Sequence, residues 1–172
     1  ESFGYPLRFH EFVNTPGTLG LDPDLAVNFV TRPVAYATFY LNYLLGGWDT
    51  QGLRLFNIIV HAANAILLWA VLRQLLGRLA ARSSLSVASA GFIPVAAAVL
   101  FAVHPLAVES VTYIVQRFTS LAGFWSLLAA WLYFRSTEEE MESRRVTRFR
   151  IAAGIVMLLG MLTKECSVVA PV

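Results

Sequence analysis

Apolar positions along this chain gather into four long runs, at 53–76, Val87–Val103, 118–134 and from 151 onward, parted by short polar or charged stretches. The first run, 24 residues, makes a helix about 36 Å long, enough to cross the hydrocarbon of a bilayer. The second is softened by Pro94, and the third carries Trp125 and Trp131. The fourth meets Lys164-Glu165 after thirteen residues, about 20 Å of helix, so these charges lie at an interface or are held within the protein. Spans are predicted at 53–76, 87–103, 118–134 and 151–170. A shorter apolar stretch, 34–45, follows Arg32-Pro33 and is rich in tyrosine (Tyr36, Tyr40, Tyr43), with Asn42 among them. Its length suits a surface or re-entrant helix ended by Gly46-Gly47. Residues 1–31 are broken by Pro6, Pro16, Gly17, Gly20 and Pro23 and read as an extramembrane loop, with Asp22 placed to cap a short helix opened by Pro23.

Between the second and third runs lies His104-Pro-Leu-Ala-Val-Glu-Ser-Val-Thr-Tyr-Ile-Val-Gln-Arg117. Proline disfavours helix in the residue before it, so the second run stops at His104. Beyond it Ala107, Val111, Ile114, Val115 and Phe118 share one helical face, while Glu109, Thr112, Tyr113, Gln116 and Arg117 fall on the other. One amphipathic helix lying in the membrane interface is predicted, its upper side offering a carboxylate, a phenol, an amide and a guanidinium. A solvated turn between membrane helices is the plainer alternative. In the first run Asn57, His61 and Asn64 form a stripe that must face other helices or a wet cavity, since unpaired polar groups in hydrocarbon cost several kcal/mol. Interhelical hydrogen bonding and cavity lining both satisfy that stripe. One histidine with two asparagines is a poor metal-ligand set, so no metal site is read here.

Composition supports the membrane class: 57% of the 172 residues are hydrophobic and 14% charged, where soluble domains carry roughly 25%. The net charge of +2 comes from basic residues that flank apolar runs, which describes membrane topology and excludes a nucleic-acid surface. Cys166 stands alone, so no intrachain disulfide forms. The loops 73–86 and 135–150 hold eight of the thirteen basic residues and are assigned to the cytoplasm. Residues 1–52, the 104–117 stretch and Lys164-Glu165 then share the opposite side, and the charged cluster 138–142 reads as a solvated helix surface. The fold expected is all-α, a polytopic transmembrane helical bundle with extracytoplasmic amphipathic helices. Residues 1–52 form its outer loop and 53–172 its bundle, and the chain reads as a piece of a larger protein.

Arg32-Pro33, Tyr40-Leu-Asn-Tyr43, Phe56-Asn57-x-x-x-His61-x-x-Asn64, His104-Pro105-x-x-x-Glu109, Val115-Gln-Arg117 and Leu162-Thr-Lys-Glu165 follow one another in that order. This set resembles the membrane half of bacterial tetratricopeptide-repeat glycosyltransferase-like proteins and of the animal transmembrane and tetratricopeptide-repeat O-mannosyltransferases, both of the C-type (GT-C) class. The resemblance implies an enzyme that moves a sugar from a polyprenyl- or dolichyl-phosphate donor to a protein acceptor. It places the protein in a bacterial inner membrane, or in the endoplasmic reticulum of a eukaryote, with its active face extracytoplasmic. In such families an acidic residue of the first outer loop acts as base. The family's Phe-Asp-Asp pattern is missing here, which leaves Glu1, Glu11, Asp22, Asp24 and Glu109 as candidates.

Sugar transfer from a lipid phosphate needs a carboxylate to take the acceptor's proton and a cation to stabilise the departing phosphate. Arg117 and Lys164 are the expected phosphate ligands, with Gln116, His104 and Arg32 beside them. Asn57, His61, Asn64, Tyr113 and Glu165 are expected to line the cavity. Glu109 orients the acceptor or pairs with a base such as Lys164. The bilayer, the lipid-linked donor and the protein acceptor are the implied partners. The only group open as a cofactor is a divalent cation. On this reading Arg117→Ala abolishes transfer while the protein inserts and accumulates normally. A transporter or flippase for a lipid-linked substrate, and a non-catalytic membrane scaffold, are the competing classes.

Overall fold

The computed structural model describes residues 32–47, 49–82, 87–138 and 142–164. The expectations for Glu1, Glu11, Asp22, Asp24, Glu165 and Cys166 fall outside them. All regular structure among the described residues is helical: α1 (Pro33–Gly46), α2 (Thr50–Arg82), α3 (Val87–Val103), α4 (Ala107–Thr112), a 3-10 turn (Ile114–Gln116), α5 (Arg117–Ser136) and α6 (Ser143–Met161).

Local chemistry sets the helix ends. Pro33 opens α1 with its backbone angle already helical. The helix closes at Gly47, whose φ of 67° only glycine adopts freely and whose N–H donates to the Tyr43 carbonyl at 2.8 Å. Asp49 caps α2, its carboxylate accepting the N–H of Gln51 at 3.2 Å and of Gly52 at 3.0 Å. Two helices outrun the apolar pattern. α2 continues six residues past 76, to Arg82, and α6 starts at Ser143, eight residues before the apolar run. Arginine, leucine and alanine are strong helix formers, so the basic flanks stay helical after the apolar residues end. Residues 143–150, expected as loop, therefore belong to α6.

α2 is the centre of the bundle, with α3 on one flank and α5 on the other, and α6 packs on α5. Two side-chain contacts fix α2 and α5 as parallel: Asn64 reaches Ser120 and Arg78 reaches Phe134, each 56 residues apart in sequence, and Asn57 reaches Tyr113, just ahead of α5, at the same separation. α3 runs back along α2, bringing Ala102 to His61. α6 runs back along α5, bringing Lys164 to Thr119. One end of the bundle thus collects α1, the start of α2, the close of α3, α4, the start of α5 and Lys164. The other collects Arg78, Arg82, Arg135 and the arginine-rich start of α6. The separation expected from the basic loops is present as geometry.

Buried polar groups share the interior with apolar ones such as Phe39, Leu53, Val60 and Leu121, while many large apolar side chains face outward. Asn57, Asn64, Arg117, Ser120, Ser136 and Thr163 are buried, together with small residues such as Ala35, Ala65, Ala122 and Ala129. Leu55, Ile59 and Ile66 of α2, Phe92, Leu100 and Val103 of α3, and Ile151, Ile155 and Leu158 of α6 face outward. Small residues at helix contacts and polar pairs between helices are the means of association where lipid surrounds the bundle. Among the described residues one helix, α2, is long and apolar enough to cross a membrane, and α3 carries a shorter apolar stretch, Ala90–Val103.

Candidate functional site

The 104–117 stretch is not one helix. His104 ends α3 and folds back as a cap: its Nδ1 accepts the Leu106 N–H at 3.2 Å and its carbonyl the Ala107 N–H at 2.8 Å. Six residues of α4 follow, and then Tyr113 adopts an extended backbone, φ −84° and ψ 115°. The 3-10 turn comes next, and Arg117 opens α5. That single extended residue breaks the helical phase. Glu109 and Tyr113 consequently stay exposed, Tyr113 by 63%, while Arg117 is wholly buried. The predicted upper face shared by Glu109 and Arg117 does not form.

Arg117 instead clasps α1, α2 and α5 together. Its Nε donates to Asn57 Oδ1 at 3.0 Å, one terminal nitrogen to Asn42 Oδ1 at 2.9 Å and the Thr38 carbonyl at 3.3 Å, and the other to the Leu53 carbonyl at 2.9 Å. The guanidinium plane lies between Phe39 and Phe56, 4.2 and 4.3 Å from the ring centroids. Four of its five N–H groups therefore have protein acceptors. Asn42 is a partner the sequence hinted at only as the one amide in a tyrosine-rich stretch.

The polar stripe of α2 serves as interhelical adhesive. Asn57 also donates to the Tyr113 carbonyl at 3.3 Å, and Asn64 donates to the Ser120 carbonyl at 2.9 Å. His61 Nε2 lies 3.2 Å from the Ala102 carbonyl, its ring stacked on Phe101. His61 and His104 together line a cavity of about 350 Å³ with Phe101 and Ser110. No cluster of three metal-type ligands occurs among the described residues.

Two further cations border the start of α5. The Arg32 guanidinium lies 5.7 Å from the Phe118 ring, which Tyr36 meets edge-on. Lys164 Nζ donates to Thr119 Oγ1 at 2.9 Å. Burial pushes the Tyr36 phenol up from its ordinary range, with Arg32 pulling the other way, so the phenol is a donor at neutral pH. Gln116 sits half-buried in the 3-10 turn. Among the described residues Glu109 forms no ion pair. Arg32, Lys164 and Glu109 thus occupy one end of the bundle, but the sequence gives no sign that Thr119 and Phe118 are what the two cations rest on.

No protein-family model matches the chain, and no solved structure does. Curated relatives do match. The chain is 33% identical to the protein O-mannosyl-transferase Tmtc3 of Drosophila melanogaster over 144 residues, 78% of this chain and 16% of that protein. It is 32% identical to the human protein O-mannosyl-transferase TMTC4 over 148 residues, 78% of this chain and 19% of that protein. It is 30% identical to the protein O-mannosyl-transferase tmtc2 of Xenopus laevis over 134 residues, 78% of this chain and 15% of that protein. The chain therefore spans less than a fifth of the length of these relatives. Over most of its own length, this chain is similar to the transmembrane and tetratricopeptide-repeat protein O-mannosyltransferases, the resemblance its ordered motifs imply.

Proposed function

We propose that this chain is part of an integral membrane glycosyltransferase that carries a sugar from a lipid-phosphate donor to a hydroxyl of a protein acceptor. The observation that carries this reading is the likeness to relatives named as protein O-mannosyl-transferases. The outward-facing isoleucine, leucine and phenylalanine of α2, α3 and α6, around an interior that holds Asn57, Asn64 and Arg117, support embedding in a bilayer. On that reading α2, α3, α5 and α6 all cross it. The arginine-rich end lies in the cytoplasm and the end holding Arg32, Glu109 and Lys164 on the outer side, of a bacterial inner membrane or of the endoplasmic reticulum.

The chemistry then runs as follows. The acceptor oxygen attacks the anomeric carbon, the bond from that carbon to the phosphate oxygen breaks, and the phosphate leaves with the electron pair. The acceptor proton passes to a carboxylate, Glu109 or an acid of 1–31 such as Glu11, Asp22 or Asp24. Lys164 and Arg32 hold the phosphate beside the start of α5, where the helix dipole adds to their charge. Arg117 positions that helix start and meets no substrate.

The full-length protein, incubated with a polyprenyl-phosphate mannose and an acceptor peptide, should yield a mannosyl peptide by mass spectrometry. Lys164→Ala should abolish the product without loss of folded protein. Consumption of no donor, or full activity in Lys164→Ala, overturns the reading. The same assay run with a chelator reads any need for a divalent cation.

A further inference from the structure

At the arginine-rich end, α2 and α5 part to form an open groove of about 1150 Å³, above the range of most small-molecule pockets. It follows α2 from Ile66 to Arg82, sixteen residues or about 24 Å. Its character changes along that length. Ile66, Leu67, Trp69 and Ala70 make an apolar half; Arg73, Arg78, Arg82 and Arg135 make a cationic half; Trp69 and Trp131 meet it, under the guanidinium groups of Arg73 and Arg135. Such a gradient fits a molecule with one charged end and one hydrocarbon end. Tryptophan at the boundary sits where headgroup meets acyl chain.

The cations are unequally engaged. Arg78 donates to Thr137 Oγ1 at 2.6 Å and to the Phe134 carbonyl, and Arg135 pairs with Glu138 at 2.8 Å. Arg73 lies over the Trp69 ring at 5.3 Å. Neither Arg73 nor Arg82 has a hydrogen-bond acceptor among the described residues, and both are exposed. Exposed guanidinium groups without an acceptor among the described residues are what a phosphodiester would satisfy. Glu138 is the one carboxylate in the lining. Glu139 and Glu140 follow it in sequence and lie outside the described residues.

We infer that this groove holds an anionic phospholipid of the arginine-side leaflet, phosphate against Arg73 and Arg82 and acyl chain against Ile66 and Leu67, at the end of the bundle opposite Lys164. The inference rests on the membrane reading above but not on the transferase reading. Basic grooves between membrane helices on the cytoplasmic side are known receptors for such headgroups.

The test is native mass spectrometry of the full chain released from phosphatidylcholine discs doped with phosphatidylglycerol. The wild type should retain one phosphatidylglycerol in preference to phosphatidylcholine. Arg73→Ala with Arg82→Ala should weaken retention about thirtyfold, two arginines at the strength usual beside anionic lipid. Gly77→Leu should also displace the lipid at unchanged charge, because a Cβ there meets open space. Arg144→Ala with Arg145→Ala, which removes equal charge outside the groove, should leave retention intact. Equal loss in the groove and control pairs overturns the inference in favour of diffuse surface charge. Displacement by inorganic phosphate overturns it in favour of a soluble anion. A wild type without preference overturns it without recourse to any variant. Release of the protein by carbonate washing removes the membrane reading as well.

Discussion

Replacing Arg117 separates two roles that the sequence leaves joined. A phosphate ligand at an open site can be truncated without harm to the fold. A buried clasp cannot. Arg117 is wholly buried, donates four hydrogen bonds to Asn57, Asn42, Thr38 and Leu53, and lies between two phenylalanine rings. Hydrogen bonds from a charged donor contribute about 1.5–3 kcal/mol each, and these four share one group, so they do not add. The void left between Phe39 and Phe56 adds a packing loss. Arg117→Ala should destabilise the bundle by about 4–5 kcal/mol, which places it among the severe single substitutions. Arg117→Lys keeps the charge but cannot fork, and should lose about 2 kcal/mol. The measurement is unfolding of the purified protein followed by tryptophan fluorescence, with an Asn57→Ala cycle to isolate their coupling, expected at about 1.5–3 kcal/mol. Wild-type unfolding in Arg117→Ala, together with lost donor binding, would refute the clasp and restore the phosphate role.

Gly47→Ala should destabilise the protein by about 1 kcal/mol, because the new side chain resists a φ of 67°, and should raise proteolytic nicking between α1 and α2. Asp49→Ala, which uncaps two N–H groups at the start of α2, should cost about 1 kcal/mol in the same unfolding assay. Asn64→Leu removes one bond to Ser120 and one unmatched buried oxygen, so the change should stay within about 0.6 kcal/mol, and a larger loss would mean Oδ1 has a partner in the whole protein. In a Cys166→Ser background, Lys164→Cys and Arg144→Cys should react with an impermeant maleimide from opposite sides of sealed vesicles. Labelling of both from one side would dismantle the proposed topology.

Much of the helical scaffold was legible from the chain. The 34–45 stretch, the apolar runs and Gly46-Gly47 each carry their signal within a few residues, and α1, α2, α3 and α5 appear where those signals lie. The errors have physical causes. Periodicity at 107–118 survives an interruption, because helical turns on either side of one extended residue can both present apolar faces at helical spacing. The helical start of α6 was hidden by its charge, since arginine reads as loop by polarity yet favours helix by propensity. The burial of Arg117 depends on acceptors 60 to 79 residues away, and no local window contains that information. Polar residues in α2 announced their need for partners but not which carbonyls would answer.

Since α2 and α5 point the same way side by side, the segment linking them has to traverse the whole height of the protein, and α3 is the helix that makes the journey. Its 17 residues reach only about 25 Å, short of a hydrocarbon slab of about 30 Å. On the membrane reading proposed above, a bilayer around this flank would pinch inward or the helix would draw its ends into the slab, at a fraction of a kcal/mol for each ångström of mismatch. The proposed topology thereby makes lipid chain length a variable of stability, with shorter-tailed bilayers expected to hold the protein more comfortably than long-tailed, sterol-stiffened ones.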